Sequence, residues 1–240
     1  MRINEHWHQI MGRFGDFDLS DRHDCCVYVL DSGAGLIAFD AGSGLGLDLD
    51  RDSFAPGPSH LFLTHGHADH AGGAAAMVAR SGCRTYAGRQ TAGWLADPDE
   101  VALSVPAARA AGIYPAEYRL LPVRIDESLD DGDIRRIGAA EILAVATPGH
   151  SADHFAYLVT AYGRRTLVAG DSIFAGGMIV LQDTWDSSVA ASCATVRKLA
   201  DLRFDALLAG HGPAVLEDAG DVTALAMQRI NRLLPPRNFV

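Results

Sequence analysis

The chain has 240 residues, 48% of them hydrophobic and 21% charged, with a formal net charge of −10. That much apolar material builds a sizeable core and excludes wholesale disorder, while the acidic balance disfavours nucleic acid as a partner. No apolar run reaches the about 18–20 residues that cross a bilayer, and residues 1–8 lack a signal peptide's apolar stretch, so the sequence reads as cytoplasmic, with no membrane partner.

In chain order, residues 25–30 and 36–39 read as paired strands joined by Asp31-Ser32-Gly33-Ala34-Gly35. The second ends at Asp40, before the flexible stretch Gly42-Ser43-Gly44-Leu45-Gly46. A turn at Pro56-Gly57-Pro58 precedes a strand over 60–63. Residues 71–80 are Ala-rich and helical, stopped by Ser81-Gly82. A short strand spans 84–87, and 88–123 predicts short helices among Trp94, Ile113, Tyr114, Tyr118 and Leu120. Arg80, Arg84 and Arg89 read as a solvated helix face and turn. After a turn at 129–133, strands follow at 142–146, 155–160, 166–169 and 206–209. Helical spacing marks 189–202 and 222–234, the latter ended by Pro235-Pro236. No linker or low-complexity tract divides the chain, which predicts one domain over 1–240 with sheets covered by helices.

The four cysteines, Cys25, Cys26, Cys83 and Cys193, contain no Cys-x-x-Cys pair, so thiolate zinc sites and thioredoxin-like chemistry lack support. Cys25 and Cys26 point opposite ways if they sit on a strand, and free thiols suit a reducing compartment. A Gly-x-Ser-x-Gly elbow and a phosphate-cradling loop with its lysine are both absent.

The chemistry concentrates in Thr64-His65-Gly66-His67-Ala68-Asp69-His70, directly after Leu61-Phe62-Leu63. Neutral imidazole is the commonest metal ligand near pH 7. Ligands this dense fit a loop at a strand end, with His65 and His67 reaching one ion and Asp69 and His70 a second. Gly66 and Ala68 leave room between them. Three more motifs each close an apolar run: Thr147-Pro148-Gly149-His150-Ser151, Ala169-Gly170-Asp171-Ser172 and Gly210-His211-Gly212. The stretch Pro148-Gly149-His150-Ser151-Ala152-Asp153-His154 faintly echoes Thr64-His65-Gly66-His67-Ala68-Asp69-His70, compatible with two similar βα halves.

In type and order these motifs resemble those of the metallo-β-lactamase superfamily, His-x-His-x-Asp-His followed by the later ligands, and the likeness runs from Asp40 to His211. It implies an αββα sandwich, two mixed β-sheets flanked by helices, with a metal cleft along one edge. It assigns His65, His67 and His150 to one divalent ion and Asp69, His70 and His211 to another, with Asp171 bridging. Asp69 and Asp171 are then the catalytic carboxylates. Zinc is the family's default for hydrolysis; His and carboxylate donors also suit iron and manganese. Water between two such ions falls from a pKa of about 15.7 to about 7, giving a bridging hydroxide.

The implied function is a dinuclear hydrolase of the glyoxalase II-like or lactonase-like branch, acting on a small acyl substrate: a lactone, ester or compact thioester. Alternatives are β-lactamase-like amide hydrolysis, phosphodiester cleavage and, in other classes, an iron-dependent oxidoreductase or a non-catalytic binding module. Asp171 resembles the bridging aspartate of the thioesterase, lactonase and nuclease branches, where true β-lactamases usually carry cysteine or serine. Lactonases carry a tyrosine shortly after it; here stand Ser172-Ile173-Phe174. Asp40 resembles the family's early aspartate and is read as supporting the ligands. His154 is read as a buried, hydrogen-bonded residue, and His6 and His8, around Trp7, as part of an edge-packed or mobile amino terminus. Expected pocket walls are Trp94, Ile113, Tyr114 and Tyr118, with Phe174, Met178, Ile179 and Trp185; for Trp185 core packing is an equal expectation. A single helix after His211 leaves no glutathione-gripping domain, so a glutathione thioester is not the expected substrate.

Overall fold

Residues 1–45 and 57–240 are described in the computed structural model. Gly46, at the end of the glycine stretch, and Pro56, in the expected turn, lie outside the described residues. The chain divides into two units, Met1–Leu129 and Asp130–Val240.

The first unit contains β1 (Trp7–Gln9), a small hairpin of β2 (Arg13–Phe14) and β3 (Phe17–Asp18), β4 (Tyr28–Asp31), β5 (Leu36–Phe39), β6 (His60–Phe62), α1 (Ala68–Ala71), α2 (Ala74–Ser81), β7 (Arg84–Gly88), α3 (Arg89–Ala96), α4 (Val105–Ala110) and β8 (Glu127–Leu129). Its sheet has the order β1-β4-β5-β6-β7-β8. The β1–β4 and β4–β5 pairs are antiparallel, and β5 through β8 run parallel. Ligands gather outside the carboxyl ends of parallel strands. Here β5 delivers Asp40 and β6 delivers Thr64 and His65 to one edge.

Two sequence expectations shift in this unit. The strand expected from residue 25 begins at Tyr28, which pairs with Phe39, the last residue of β5. Beyond that pair Val27 is held from the β1 side, its carbonyl accepting from Ile10 N (2.9 Å), and Cys25 donates its N–H out of the sheet to Asp69 O (3.2 Å). All four cysteines are free thiols. The helix expected at 71–80 is two helices: the Gly73 N–H leaves the helical ladder and donates to Gly42 O (2.9 Å), and Gly72 beside it leaves no space for a side chain against the Ser43 carbonyl and the Tyr118 hydroxyl. At its far end Gly82, at φ 64°, closes α2 through a 2.8 Å bond from its N–H to Val78 O, a left-handed cap that glycine adopts without strain.

The second unit contains β9 (Ile134–Ile137), β10 (Ala140–Ala146), β11 (Phe155–Ala161), β12 (Arg164–Gly170), α5 (Val189–Ala200), β13 (Ala206–Ala209) and α6 (Gly220–Ile230). The sheet order is β13-β12-β11-β10-β9. Antiparallel pairing runs from β9 to β12, and β12–β13 is parallel. Hence β10, β12 and β13 point the same way and release His150, Asp171 and His211 at one edge. At the sheet's margin, β9 pairs among the described residues with β10 alone and carries Arg135 and Arg136. A core of Leu158, Leu167, Val196, Leu199 and Leu207 joins the sheet to α5, and Val222 and Ala226 bring in α6.

α6 stops at Ile230, ahead of the expected proline stop. Leu233 takes φ 60°, and Leu234, forced off helical geometry by the following Pro235, continues no helix. The echo between the two histidine motifs ends with the loops: α1 follows in one unit and β11 in the other.

Candidate metal centre

In the first unit Asp40 organises the ligand loop. Its carboxylate, 2% exposed, accepts from Thr64 N at 2.7 Å and from the Thr64 hydroxyl at 2.9 Å. It also receives His70 Nδ1 at 2.8 Å. A buried carboxylate can only accept here, so the proton sits on His70 Nδ1 and Nε2 keeps its lone pair. Thr64 donates to Asp40 and so accepts from His65 Nδ1 at 3.0 Å, which turns the His65 Nε2 lone pair outward as well. Both Nε2 atoms are buried, as is that of His67.

The His65 ring lies 4.7 Å from His67 and 4.2 Å from His70, centre to centre. Asp69 Oδ2 is 3.6 Å from His70 Nε2. These last two residues sit on α1 rather than on the loop that sequence alone suggests. Gly66 is small because a Cβ there would lie 2.5 Å from Leu103 Cδ2, a packing reason rather than room for an ion. Cys25 shares the neighbourhood of Asp40 and His70. Burial drives its thiol up, against the opposing pull of His70.

In the second unit the His150 loop is held against α5. Thr195 donates from Oγ1 to Pro148 O (2.7 Å), Ser188 N donates to Gly149 O (2.8 Å), and Ala152 N donates to Asp186 Oδ2 (2.9 Å). Gly149, at φ 143°, lies so close to Ser192 that a side chain would collide with it. Asp171 Oδ2 lies 3.5 Å from His150 Nε2 and 3.6 Å from His211 Nε2. Asp171 and His150 are buried, whereas the His211 side chain is 30% exposed. His154 Nε2 accepts from Asp171 N at 3.0 Å, which fixes the proton on Nδ1, 2.7 Å from the Thr147 hydroxyl. Both of its nitrogens are used, so His154 is a buried support, as the sequence suggests.

Two ligands each about 2.0–2.2 Å from one ion at a tetrahedral angle lie about 3.3–3.6 Å apart. The Asp69–His70, His150–Asp171 and His211–Asp171 pairs all have that spacing, and neutral imidazoles with carboxylates form a donor set suited to zinc. The residues therefore fit a divalent metal. Sequence reasoning gave no role to Thr64 or Thr147, although each stands at the head of its motif.

The expected walls divide. Tyr114 and Tyr118 are buried and stacked at 4.5 Å, and Phe174 and Ile179 are core residues. Trp94 and Met178 are half-buried, and Ile113 is exposed. Trp185 is 62% exposed and does not pack the core. The amino terminus is edge-packed: β1 holds His8, and Trp7 lies on Phe39 at 5.6 Å.

Solved structures identify the fold. A HARLDQ-motif mutant of a metallo-beta-lactamase from Cronobacter sakazakii superposes with a TM-score of 0.72 at 21% identity, covering 97% of this chain and 94% of that one. An archaeal metallo-beta-lactamase superfamily protein from Sulfolobus tokodaii gives 0.70 at 18% identity, over 94% and 86%. The mixed α/β fold is thus that of the metallo-β-lactamases. A family profile described as Metallo-beta-lactamase superfamily matches residues 21–211, and the chain belongs to that superfamily.

Among curated proteins, thioesterase pkgB of Emericella nidulans is 26% identical over 72% of this chain and 40% of its own length. Atrochrysone carboxyl ACP thioesterase dmxR1 of Cryptosporiopsis sp. is 24% identical over 86% and 54%. A hydroxyacylglutathione hydrolase of Rhodopseudomonas palustris is 27% identical over 63% and 52%. The chain spans about half the length of these relatives.

Proposed function

We propose that this chain is a metal-dependent hydrolase that cleaves a small acyl substrate, a compact thioester, ester or lactone, at a dinuclear centre. His65, His67 and His150 hold one ion; Asp69, His70 and His211 hold the other; Asp171 is shared. Zinc is the metal we put first. The observation that carries the reading is the position of Asp171 Oδ2, 3.5 Å from one ligand of the first set and 3.6 Å from one ligand of the second. Relatives named as thioesterases support acyl chemistry.

The chemistry supplied by divalent ions held there would be a lowered pKa for coordinated water, to about 7, and polarisation of the acyl carbonyl. The chain's own contributions are positional. Asp40 and Thr64 fix the tautomers of His70 and His65, and His154 holds the Asp171 backbone. Asp69 and Asp171 would supply the carboxylate donors of the ligand sets.

Protein purified without chelator should contain about two metal ions by elemental analysis. Asp171→Ala should lose at least about 100-fold in turnover while remaining folded, the scale of a major electrostatic contributor. A single well-occupied site with no activity gained on adding metal defeats the dinuclear centre. Kinetics on lactones, aryl esters, compact thioesters and S-lactoylglutathione test the substrate class. A glutathione thioester favoured tenfold or more in kcat/KM overturns the preference for small acyl groups.

A further inference from the structure

After α6 the chain turns back to the edge of the second unit's sheet that bears Asp171 and His211. Ile179 N donates to Arg237 O at 2.9 Å, and Phe239 N donates to Ile179 O at 2.8 Å. The Asn238 amide then grips the chain two residues along: Leu181 N donates to its Oδ1 at 2.9 Å, and its Nδ2 donates to Leu181 O at 3.3 Å. These bonds lay the Phe239 ring flat on Phe174, centres 4.5 Å apart and planes 18° apart. The ring's edge meets Gly212, where a Cβ would lie 3.3 Å from Cε2 and 3.4 Å from Cζ. Phe174, Val180 and Ala209 form the apolar cluster against which Phe239 packs.

One side chain therefore touches both segments that present ligands to the second ion's neighbourhood. Phe174 lies three residues after Asp171, Ala209 lies two before His211, and Gly212 directly follows it. The His211 loop is tied on one side, where Gly210 N donates to Gly170 O at 2.7 Å, and the Phe239 ring meets it on the other, at Gly212. The loop reads Gly210-His211-Gly212, with Gly212 at φ 76°, and glycine backbone loses more freedom on ordering than any other. A ligand that must be ordered when the ion arrives binds it more weakly than one already held in place.

We propose that Phe239 is a positioning residue, and that residues 237–239 act as a strap that holds His211 at coordinating distance from Asp171 and so sets the affinity for the second ion. This rests on the dinuclear reading above. Partners that orient a metal's ligands are typically worth about 10–100-fold in affinity, and that is the scale expected here.

The test is a cobalt(II) titration of metal-free protein, followed by visible absorption with chelator competition to give a dissociation constant for each ion. Phe239→Ala should weaken the second ion about 10–100-fold and leave the first within threefold. Phe239→Leu should recover part of the loss, and Asn238→Ala, which loosens the strap without touching the ring, should fall between. Activity of the alanine variant should return at high metal concentration. If wild type binds two ions and Phe239→Ala binds both equally well, the strap is refuted and the dinuclear centre stands. Equal weakening of both ions in all three variants refutes it too, since that marks general loosening. A wild type with a single ion removes the dinuclear reading and this inference together.

Discussion

Asp40 has a backbone φ of 64°, a conformation uncommon for any residue but glycine, although aspartate tolerates it better than most. The turn it makes aims a buried carboxylate at Thr64 and His70. Strain of this kind persists where the surroundings over-determine it. Asp40→Asn keeps the size and the tolerance of positive φ but removes the charge that holds the proton on His70 Nδ1. It should weaken metal binding about 10–100-fold, measured by chelator competition, with a smaller effect on the melting temperature. Unchanged metal affinity would make Asp40 a purely structural residue. At this scale the candidate ligands of the first unit stood out in the sequence because three histidines and an aspartate crowd six positions. Thr64 was not, since its role depends on Asp40, distant in sequence. Nor could spacing alone establish that His154 is no ligand; counting the bonds made by its two nitrogens does.

α5 serves the site as much as the core. Its N-cap Ser188 accepts from Ala191 N at 3.2 Å and also donates its own N–H to Gly149 O. Ser188→Ala should cost about 1 kcal/mol, a fall of about 2–4 °C in melting temperature for a chain of this size. Gly149→Ala should cost more, because φ 143° and the nearness of Ser192 both exclude a side chain, and it should weaken metal binding as His150 is displaced. Thermal melts with and without zinc measure both; a Gly149→Ala variant as stable as Ser188→Ala would show that α5 yields readily. Long apolar strands such as β10 and β11 were legible from composition alone. β1, β8 and β9 were not: they are short, carry charged or polar residues, and owe their existence to the neighbour they pair with. The break between α1 and α2 was hidden for a similar reason, since Gly72 is dictated by Tyr118, far along the chain.

For the molecule as a whole, the order of the four motifs carried the family, and the profile match over residues 21–211 agrees with it. The substrate was less legible because half of the expected wall residues turn out to be core. Net charge of −10 gives a separate expectation. Labelled single-stranded RNA or duplex DNA at about 150 mM salt should show no binding tighter than the weak, salt-sensitive association typical of non-specific contacts, about 10⁻⁴–10⁻⁶ M. Anisotropy titrations at two salt concentrations measure it, and a nanomolar constant would revive the phosphodiester alternative.

The marginal strand β9 has a consequence for how this protein keeps company with itself. An exposed sheet edge is a template on which another chain can add a strand. Here the template reads Ile134-Arg135-Arg136-Ile137, with Ile134 41% exposed. A second copy adding antiparallel to it in the centred register would set Arg135 directly opposite Arg136, twice over, and like charges facing across strands repel. Within its own chain Arg136 is answered by Glu141 at 2.6 Å, on the strand next door. The same side chain that finishes the sheet thus makes its edge a poor seed for crowded copies of the protein to polymerise upon.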